Sequence, residues 1–586
     1  MDLLNIKING RDYQVENGVT ILEACRKANI HVPTLCYMKE INAIGACRIC
    51  LVDCAVKPGG PKKLVASCVM PVSDGMEIFT NTPAVRKARK LNLELLLSDH
   101  EKKCLSCVRS QNCELQTLAK EYGVDEDHFA GKKNHYEPEV STAFLVRDND
   151  KCIGCRRCVA VCKYNQGVGV IGANDRGFDT HIACAFETPL GENPCIGCGQ
   201  CIVACPTGAL REKDDTDKVL EALADPTKHV AICAAPSVRA TLGECFGMEP
   251  GTDVEGKMVA AMKALGFDGV YDMNLTADLT IMEEATELIG RIQNGGALPL
   301  ITSCSPGWIK YCEHYFPEFI PNLSSCKSPQ QMFGAVYKTY YAEKHGLDPK
   351  DIFFVSCIPC TAKKFEVTRD HQNAAGVPDV DVAITTRELS RLIMNAGINF
   401  KGLEDEKFDT PFEIGSGAGA IFGATGGVME AALRYAAEVI LGKPLEVVDF
   451  TDVRGTDALK TKTYKLGDLE VKVAVTSGTA NAKKLLTDIK EGKADYTFVE
   501  VMACPGGCVN GGGQPLVPYG VRNFVDIRAE RAKVLYDLDA KNPLRKSHEN
   551  PSVLELYANY LVEPGSEKAH HLLHTTYVKR SINEQN

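Results

Sequence analysis

The stretch CIGCRRCVAVC at residues 152–162 is matched by CIGCGQCIVAC at residues 195–205, and Pro206 follows the second copy. Both copies have the spacing C-x2-C-x2-C-x3-C, in which three close cysteines bind one 4Fe-4S cube and the fourth reaches a neighbouring cube. Paired C-x2-C motifs can also bind zinc, but zinc sites seldom contain two matched runs of four cysteines. The spacing therefore predicts two cubes, one bound by Cys152, Cys155, Cys158 and Cys205 and the other by Cys195, Cys198, Cys201 and Cys162.

These cysteines stand out against an ordinary globular composition. The chain has 586 residues, of which 27 are cysteine, with 45% hydrophobic and 24% charged residues and a formal net charge of −10. Such a length suggests about three to five domains. An acidic chain without a basic stripe makes nucleic acid a poor partner, and no apolar stretch approaches the roughly 18 residues of a membrane span. Because Met1 begins no leader-like segment, we expect a cytoplasmic protein whose clustered cysteines bind metal.

A separate cysteine group lies in the first 80 residues. Residues 1–80 alternate apolar and polar side chains around one helical stretch, which predicts a small ferredoxin-like sheet domain. The spacing C-x10-C-x2-C-x17-C suits a 2Fe-2S cluster, with Cys54 as a competing fourth ligand. The predicted ligands are Cys36, Cys47, Cys50 and Cys68.

A helical stretch in residues 81–140 ends at the motif H-x3-C-x2-C-x5-C. A histidine with three cysteines can bind structural zinc. Beside three other iron-sulfur motifs, a His-ligated 4Fe-4S cluster is favoured. The predicted ligands are His100, Cys104, Cys107 and Cys113.

Residues 141–586 divide into two parts with different patterns of apolar residues. Residues 141–215 are predicted to be a two-cluster, bacterial ferredoxin-like domain, and the charged run REKDDTDK at residues 211–218 a solvated connector. Over residues 216–586, apolar strand-like runs alternate with helical stretches, which predicts a large α/β domain. The whole chain is therefore expected to be multidomain, α+β in its first part and α/β in its second.

Three motifs in the α/β part place cysteine directly after an apolar, strand-like run. They are TSCSPGW at residues 302–308, CIPCTAKKFE at residues 357–366 and VMACPGGCVNGGGQP at residues 501–515. Ligands gather at the strand ends of open α/β sheets, and glycines let backbone N–H donors approach an anionic cluster. A glycine-rich surface loop is the alternative interpretation of the third motif. Another glycine-rich run, at residues 415–427, lacks the G-x-G-x-x-G spacing of a dinucleotide site.

With these motifs the chain resembles the iron-only (FeFe) hydrogenases over nearly its whole length, especially the catalytic subunits of multimeric NAD(P)-linked and sometimes electron-bifurcating enzymes. The resemblance implies reversible conversion of protons and electrons to dihydrogen at an H-cluster. This cofactor is a 4Fe-4S cube joined by a cysteine sulfur to a di-iron centre that bears CO, cyanide and a dithiolate bridge. Residues 216–586 would form the H-cluster domain with a C-terminal tail, and the other motifs would bind three 4Fe-4S clusters and one 2Fe-2S cluster. The first 210 residues also resemble the large iron-sulfur subunit of respiratory complex I.

The resemblance also implies a role for individual residues. Cys360, Cys504 and Cys508 match cube ligands, with Cys508 as the bridge to the di-iron unit, and Lys363 matches a lysine that donates to cyanide. Further residues around the cofactor are Pro236, Ser237, Gln330 and Met502. Cys304 matches the thiol that passes protons to the dithiolate bridge, and the remaining proton path is Glu284, Ser324, Glu287 and Arg291. On pattern alone, a Glu-Arg pair at i,i+4 would be a surface salt bridge.

Two residues depart from the family pattern. Ser305 stands where the fourth cube ligand is usually cysteine, and Ile358 stands where methionine is usual. A serine hydroxyl is harder and far less acidic than a thiol, so it is a poor ligand for iron-sulfur clusters. Three alternatives stay open: Ser305 ligates as alkoxide, Cys304 takes the ligand role, or Cys357 supplies the thiolate.

The resemblance implies that electrons leave the di-iron site through its cube and the two ferredoxin-type clusters, and then fork toward the His-ligated and 2Fe-2S sites. Because the sequence contains no flavin or nicotinamide motif, NAD(P) is expected to bind a separate flavoprotein subunit. The resemblance further implies small 2Fe-2S subunits, ferredoxin and maturation factors as partners. Two alternatives are a single-chain hydrogenase served by soluble ferredoxin and a non-catalytic electron-transfer, sensor or cluster-assembly relative.

Overall fold

The computed structural model describes residues 3–581, and its first part is a five-stranded sheet with one helix packed on it. The elements are β1 Leu3–Ile8, β2 Arg11–Glu16, α1 Ile21–Lys27, β3 Leu51–Ala55, β4 Lys63–Ala66 and β5 Glu77–Phe79. The strand order is β2-β1-β5-β3-β4, with β1 antiparallel to β2 and parallel to β5. Thr20 and Glu23 form a capping box at the start of α1.

Two helices follow, α2 Pro83–Ser98 and α3 Glu114–Glu121. Thr82 caps α2 by accepting a hydrogen bond from the Val85 amide, and proline occupies the first helical position. The buried guanidinium group of Arg89 donates to the Leu51 carbonyl oxygen and to the Tyr122 hydroxyl group. Arg89 therefore fixes α2 against the first sheet and the end of α3.

The cysteine repeat folds into a small module of short elements. They are β6 Leu145–Arg147, α4 Arg157–Ala160, β7 Gly172–Asn174, β8 His181–Ala183, α5 Gln200–Ala204 and β9 Leu210–Glu212. β6 pairs with β9 and β7 with β8, both antiparallel. The residue before each helix is left-handed, with φ of +58° at Arg156 and +67° at Gly199, so the two repeats form equivalent turns.

The large part contains two four-stranded sheets surrounded by helices. Its strands are β10 His229–Ala234, β11 Gly269–Asp272, β12 Leu300–Ile301, β13 Ile352–Ile358, β14 Val382–Thr385, β15 Leu459–Leu466, β16 Leu469–Ser477 and β17 Phe498–Met502. The first sheet is parallel throughout, in the order β11-β10-β13-β14. The second has the order β12-β17-β16-β15, in which only β15 is antiparallel. Most strands are nearly continuous apolar runs, as expected where both faces of a sheet are covered.

The helices of the large part cover these sheets and form its end. They are α6 Thr216–Ala224, α7 Glu255–Ala264, α8 Asn274–Asn294, α9 Pro306–Tyr315, α10 Pro329–Val336, α11 Ala342–His345, α12 Lys363–Glu366, α13 Thr386–Asn395, α14 Gly417–Ala420, α15 Gly427–Leu441, α16 Thr479–Lys490, α17 Tyr519–Arg522, α18 Ile527–Lys541, α19 Pro551–Leu556 and α20 Glu567–Leu573. Among residues 3–581, no helix is both long enough and apolar enough to cross a membrane.

The segment at residues 211–218 is not the solvated connector that its charge run predicts. Glu212 is buried in β9, and its carboxylate accepts hydrogen bonds from Arg387 at 2.6 Å and Arg391 at 2.8 Å. The carboxylate of Asp215 lies 2.6 Å from the Lys364 ammonium nitrogen. Buried carboxylates need such partners, and here the cations come from the large part of the chain. The charge run thus fixes the cysteine module to that part.

Candidate active site

The carboxyl ends of four strands surround one cavity of about 800 Å³. This is the place where open α/β sheets bind ligands, because the loops that follow parallel strands meet there. Pro236 follows β10, Cys304 follows β12, Cys360 follows β13 and Cys504 follows β17. The cavity brings together the following residues predicted to surround the cofactor: Pro236, Ser237, Cys304, Ser305, Gln330, Cys360, Lys363, Met502, Cys504 and Cys508.

Five cysteines line this cavity: Cys198 of the cysteine module, and Cys304, Cys360, Cys504 and Cys508 of the large part. Burial raises the pKa of the last four thiols, that of Cys508 to about 12. A thiol that is protonated at neutral pH becomes a strong ligand when a bound cation stabilises the thiolate. The convergent thiols of this cavity therefore fit an iron-sulfur cofactor.

The third motif is buried and is not a glycine-rich surface loop. A Cβ atom on Gly511 would lie 2.2 Å from the Pro359 carbonyl oxygen, and one on Gly512 would lie 2.5 Å from the Cys198 carbonyl oxygen. A side chain at either position would force apart the loops that carry the thiols. Glycine is therefore required here by close backbone approach.

Ser305 and Cys357 differ in their access to the cavity. Ser305 lines the cavity, and its hydroxyl oxygen accepts a hydrogen bond from the Ala503 amide. Cys357 is buried in β13 beside Cys233 of β10, and it is not among the described residues that line the cavity. Ile358 lies in the cavity wall. The two candidates with direct access to the cavity are therefore Ser305 and Cys304.

Lys363 points to the cavity as part of a buried polar group. Its ammonium group donates at 2.8 Å to Glu366 Oε2, which also accepts from the Gln330 amide at 2.8 Å and the Ser328 hydroxyl at 2.7 Å. The Gln330 amide oxygen is buried and has no hydrogen-bond partner among residues 3–581. The sequence-based predictions missed Glu366, although its i,i+3 spacing from Lys363 on α12 signals a pair.

Side chains of α8 and of the segment after α9 form a chain that leads away from the cavity. Burial, and then the nearby Glu284 charge, raise the pKa of the Cys304 thiol. Glu284 lies beside Ser324, whose hydroxyl donates at 3.1 Å to Glu287 Oε2. Arg291 donates at 2.6 Å to Glu287 Oε1. Glu284 is buried, whereas the side chains of Glu287 and Arg291 are each 16% exposed, so the chain runs toward the surface.

Burial raises the pKa of Glu284 to about 8. One of its carboxylate oxygens, Oε2, has no hydrogen-bond partner among the described residues. A carboxyl group with such a pKa exchanges its proton near neutral pH, as a proton relay requires.

Residues near the end of the described chain contact the same network, and the sequence-based predictions missed them. The Ser325 hydroxyl donates at 3.2 Å to Glu287 Oε2 and lies 2.8 Å from His574 Nδ1. His574 Nε2 lies 3.0 Å from Glu283 Oε2. No local spacing relates His574 to α8, so only the tertiary fold reveals this contact.

The cysteine module contains two smaller cavities, each lined by one predicted ligand set. One cavity of about 370 Å³ is lined by Cys152, Cys155, Cys158 and Cys205. The other, of about 540 Å³, is lined by Cys162, Cys195, Cys198 and Cys201. The fourth cysteine of each run thus lies with the first three of the other run.

The predicted ligands of the 2Fe-2S site, and His100 of the His/Cys motif, are placed as ligands would be. The thiols of Cys36 and Cys47, of Cys36 and Cys68, and of Cys50 and Cys68 are close neighbours. Cys54 has no such thiol contact among the residues described, and burial raises the pKa of its thiol. His100 is buried with Nδ1 unpartnered in the described structure, as a ligand nitrogen would be before metal binds.

Close contacts connect the cysteine sites to one another. The Cys504 thiol lies 3.8 Å from the Cys198 carbonyl oxygen, so the large cavity adjoins one site of the module. A Cβ atom on Gly208 would lie 2.5 Å from the Cys107 sulfur, so the His/Cys segment adjoins the loop after Cys205. A thiol-lined cavity connected to several cysteine sites defines an iron-sulfur redox enzyme.

Known protein families match successive parts of the chain. The matches are the iron only hydrogenase large subunit, C-terminal domain, at residues 228–512; the iron hydrogenase small subunit at 525–580; a 2Fe-2S iron-sulfur cluster binding domain at 2–83; the NADH-ubiquinone oxidoreductase-G iron-sulfur binding region at 89–128; and a 4Fe-4S dicluster domain at 151–209. Residues 525–580 were expected only as a tail of the H-cluster domain, and the sequence-based predictions missed their likeness to the small subunit.

Two relatives match nearly the whole chain, and a solved structure matches about two thirds of it. The NADP-reducing hydrogenase subunit HndD of Solidesulfovibrio fructosivorans is 48% identical, and the match covers 99% of this chain and 100% of that protein. Iron hydrogenase 1 of Clostridium pasteurianum is 44% identical, over 98% of this chain and 100% of that protein. A solved apo structure of the [FeFe]-hydrogenase HydA1 of Chlamydomonas reinhardtii matches with a TM-score of 0.57 and 42% identity, covering 63% of this chain and 99% of that one.

The chain belongs to the iron-only (FeFe) hydrogenase family. The predictions of an FeFe hydrogenase, of a multidomain fold, and of H-cluster, 2Fe-2S and 4Fe-4S domain types are confirmed.

Proposed function

We propose that this hydrogenase is the hydrogen-converting subunit of an NAD(P)-linked complex. The observation that carries the proposal is the 48% identity over 99% of the chain to a protein named an NADP-reducing hydrogenase subunit. The partners are an NAD(P)-binding flavoprotein subunit and small 2Fe-2S subunits, with ferredoxin as a further electron partner, in the cytoplasm. Maturation factors would insert the di-iron unit.

When bound, the H-cluster supplies the metal centre at which dihydrogen is formed or split. Cys360, Cys504 and Cys508 would hold its cube, with Cys508 bridging to the di-iron unit. The position of Ser305 or Cys304 in the cavity wall supports either as the fourth ligand. The three thiols are buried, so their ionised forms depend on the bound iron.

Polar residues of the cavity would orient the cyanide ligands and exclude water. Lys363 presents an ammonium group that can donate to an anionic ligand, and Glu366 holds this group in place. Pro236 and Ser237 would form the second cyanide-binding segment. Gln330 and Met502 would complete the wall.

Protons would move between the cavity and the surface through Cys304, Glu284, Ser324, Glu287 and Arg291. The raised pKa of Glu284 supports this role, because its carboxyl group can gain or lose a proton near neutral pH. The hydrogen bonds from Ser324 and Arg291 to Glu287 support the order of the relay.

Electrons would pass between the H-cluster and the surface through the cysteine module. We assign one cube to Cys195, Cys198, Cys201 and Cys162, and the next to Cys152, Cys155, Cys158 and Cys205. From there the path would fork to the 2Fe-2S site of residues 1–80 and the His-ligated site of residues 81–140, while residues 141–215 carry the two cubes and residues 216–586 the H-cluster. Three 4Fe-4S clusters and one 2Fe-2S cluster are proposed besides the H-cluster.

The main alternative is a single-chain hydrogenase served by ferredoxin, which the 44% identity to the Clostridium enzyme favours. Purification of the tagged chain from its own cells distinguishes an NAD(P)-linked complex from a single-chain hydrogenase. A linked complex predicts co-purified flavoprotein and 2Fe-2S subunits, and hydrogen-dependent NAD(P)+ reduction that disappears when the chain is isolated. A chain that purifies alone and transfers electrons to ferredoxin at full rate would refute the proposal.

A further inference from the structure

One side chain joins the N-terminal sheet domain to the cysteine module. The side-chain amide of Asn42 donates a hydrogen bond of 2.6 Å to the Cys36 carbonyl oxygen and another of 3.1 Å to the Cys155 carbonyl oxygen. Asn42 is 4% exposed, so this link lies inside the protein. It connects the backbone of one predicted 2Fe-2S ligand to the backbone of one predicted cube ligand.

The surroundings of this link are apolar. Cys36, Cys47 and Cys155 pack in one buried cluster with Leu35 and Ile49. A hydrogen bond is stronger in such an environment than in water, and an unpaired carbonyl group there is costly. The amide of Asn42 is therefore a strong constraint on the distance between the two cysteine sites.

We propose that Asn42 is a positioning residue that holds the 2Fe-2S site at electron-transfer distance from the cube of Cys155. The inference rests on the proposed function, which assigns Cys36 and Cys155 as cluster ligands. In the step concerned, one electron leaves the reduced 2Fe-2S site and reduces the oxidised cube. No covalent bond forms or breaks, and no proton is required.

The chemistry of the side chain explains why asparagine suits this position. A primary amide offers two N–H donors from one nitrogen, and both are used here. Aspartate has the same shape, but when ionised it only accepts hydrogen bonds, so it would repel both carbonyl oxygens. Leucine has a similar volume and removes both hydrogen bonds without introducing a charge.

On the His-ligated branch, the buried side chain of Arg109 makes a comparable link to the same cube. Arg109 is buried, and it donates at 2.8 Å to the Cys205 carbonyl oxygen and at 2.7 Å to the Asn112 carbonyl oxygen. Cys205 is assigned to the same cube as Cys155. Substitution of Arg109 therefore disturbs the same cube from the His-ligated side, while both hydrogen bonds of Asn42 stay in place.

The test compares Asn42→Leu, Asn42→Asp and Arg109→Leu in the full chain loaded with its iron-sulfur clusters. Electron paramagnetic resonance gives the amount of reduced 2Fe-2S cluster and its magnetic interaction with the neighbouring cube. Flash reduction gives the rate of electron transfer out of the 2Fe-2S site. A Glu40→Gln variant, in the exposed part of the same loop, controls for general disturbance.

Both Asn42 variants should retain the 2Fe-2S signal, lose most of the magnetic interaction and transfer electrons about tenfold more slowly, equal to about 1.4 kcal/mol. Glu40→Gln should give wild-type values for the 2Fe-2S site, and Arg109→Leu should retain the magnetic interaction between that site and the cube. Wild-type transfer and interaction in Asn42→Leu would overturn the inference. Loss of the 2Fe-2S signal in both Asn42 variants would also overturn it, because Asn42 would then stabilise the cluster loop itself.

If Cys36 is not a 2Fe-2S ligand, the proposed function fails, and this failure can be distinguished from failure of the Asn42 inference. A Cys36→Ser variant should abolish or alter the 2Fe-2S signal if Cys36 is a ligand. A wild-type signal in Cys36→Ser would refute the assignment, whatever the Asn42 variants show.

Discussion

The hydroxyl oxygen of Ser305 accepts a hydrogen bond of 3.2 Å from the backbone amide of Ala503, the residue before Cys504. Ser305 is also the residue that precedes α9, so its backbone is fixed by the start of a helix. The side chain at position 305 is therefore held in the cavity wall beside a proposed cube ligand.

Ser305→Cys should make the cube more resistant to loss of iron. A thiolate is a softer and better ligand for iron-sulfur clusters than a hydroxyl group, and the new thiol would occupy the position of the Ser305 hydroxyl. We expect iron release to a chelator to slow by roughly tenfold or more. An unchanged release rate would contradict contact between residue 305 and the cube.

Glu287→Gln should reduce turnover by about 10²–10⁴-fold, because the amide cannot relay protons from Ser324 to the surface. The infrared bands of CO and cyanide should stay in place, because Glu287 does not line the cofactor cavity. Glu318→Gln, at an exposed carboxylate paired with Lys490, should keep normal turnover. If the bands vanish in Glu287→Gln, this carboxylate supports cofactor assembly and not proton movement.

Glu284 should make the chain less stable as pH rises. Its folded-state pKa of about 8 lies above the ordinary value of 4.5, so the folded chain binds this proton more tightly than the unfolded chain. The free energy of unfolding should therefore decrease from about pH 4.5 to about pH 8 and level off above, a contribution of up to about 5 kcal/mol.

Glu284→Gln should remove this contribution, and denaturant unfolding of the cluster-free chain over that pH range is the measurement. Glu491→Gln, at an exposed carboxylate, should retain the wild-type pH profile. Equal pH profiles for wild type and Glu284→Gln would show that Glu284 has an ordinary pKa.

Glu366→Gln should destabilise the cavity wall. The variant leaves the buried ammonium group of Lys363 without its carboxylate, and removal of one partner of a buried ion pair costs about 3–5 kcal/mol. The expected result is a lower free energy of unfolding, measured with denaturant on the cluster-free chain. The double variant Glu366→Gln with Lys363→Met should recover part of the loss, and no recovery would mean that the pair is not coupled.

Local spacing predicts which cysteines lie close together and which motifs follow a strand. The C-x2-C-x2-C-x3-C runs place their cysteines on a single turn and short helix, so the sequence determines their geometry. The same holds for Glu287 and Arg291, whose i,i+4 spacing on α8 produces the observed ion pair.

Contacts between distant segments could not be predicted in this way. Glu212 and Asp215 lie in a charged run of the kind that is usually exposed to solvent. Both are buried, and they bind Arg387, Arg391 and Lys364 of the large part. Phe422 and Gly423, in the glycine-rich run set aside as a poor dinucleotide motif, line the active-site cavity. In each case the residue's environment depends on segments far away in the sequence, and no local pattern reveals that contact.

The contacts of Tyr577 and Arg580 tie the end of the described chain to the surroundings of the cavity. Tyr577 donates to the Ser324 carbonyl oxygen at 2.9 Å, and Arg580 pairs with Glu313 of α9 at 2.8 Å. These partners are 253 and 267 residues apart in the sequence, so α9 and the Ser324 backbone are held by a segment that belongs to neither of the two sheets.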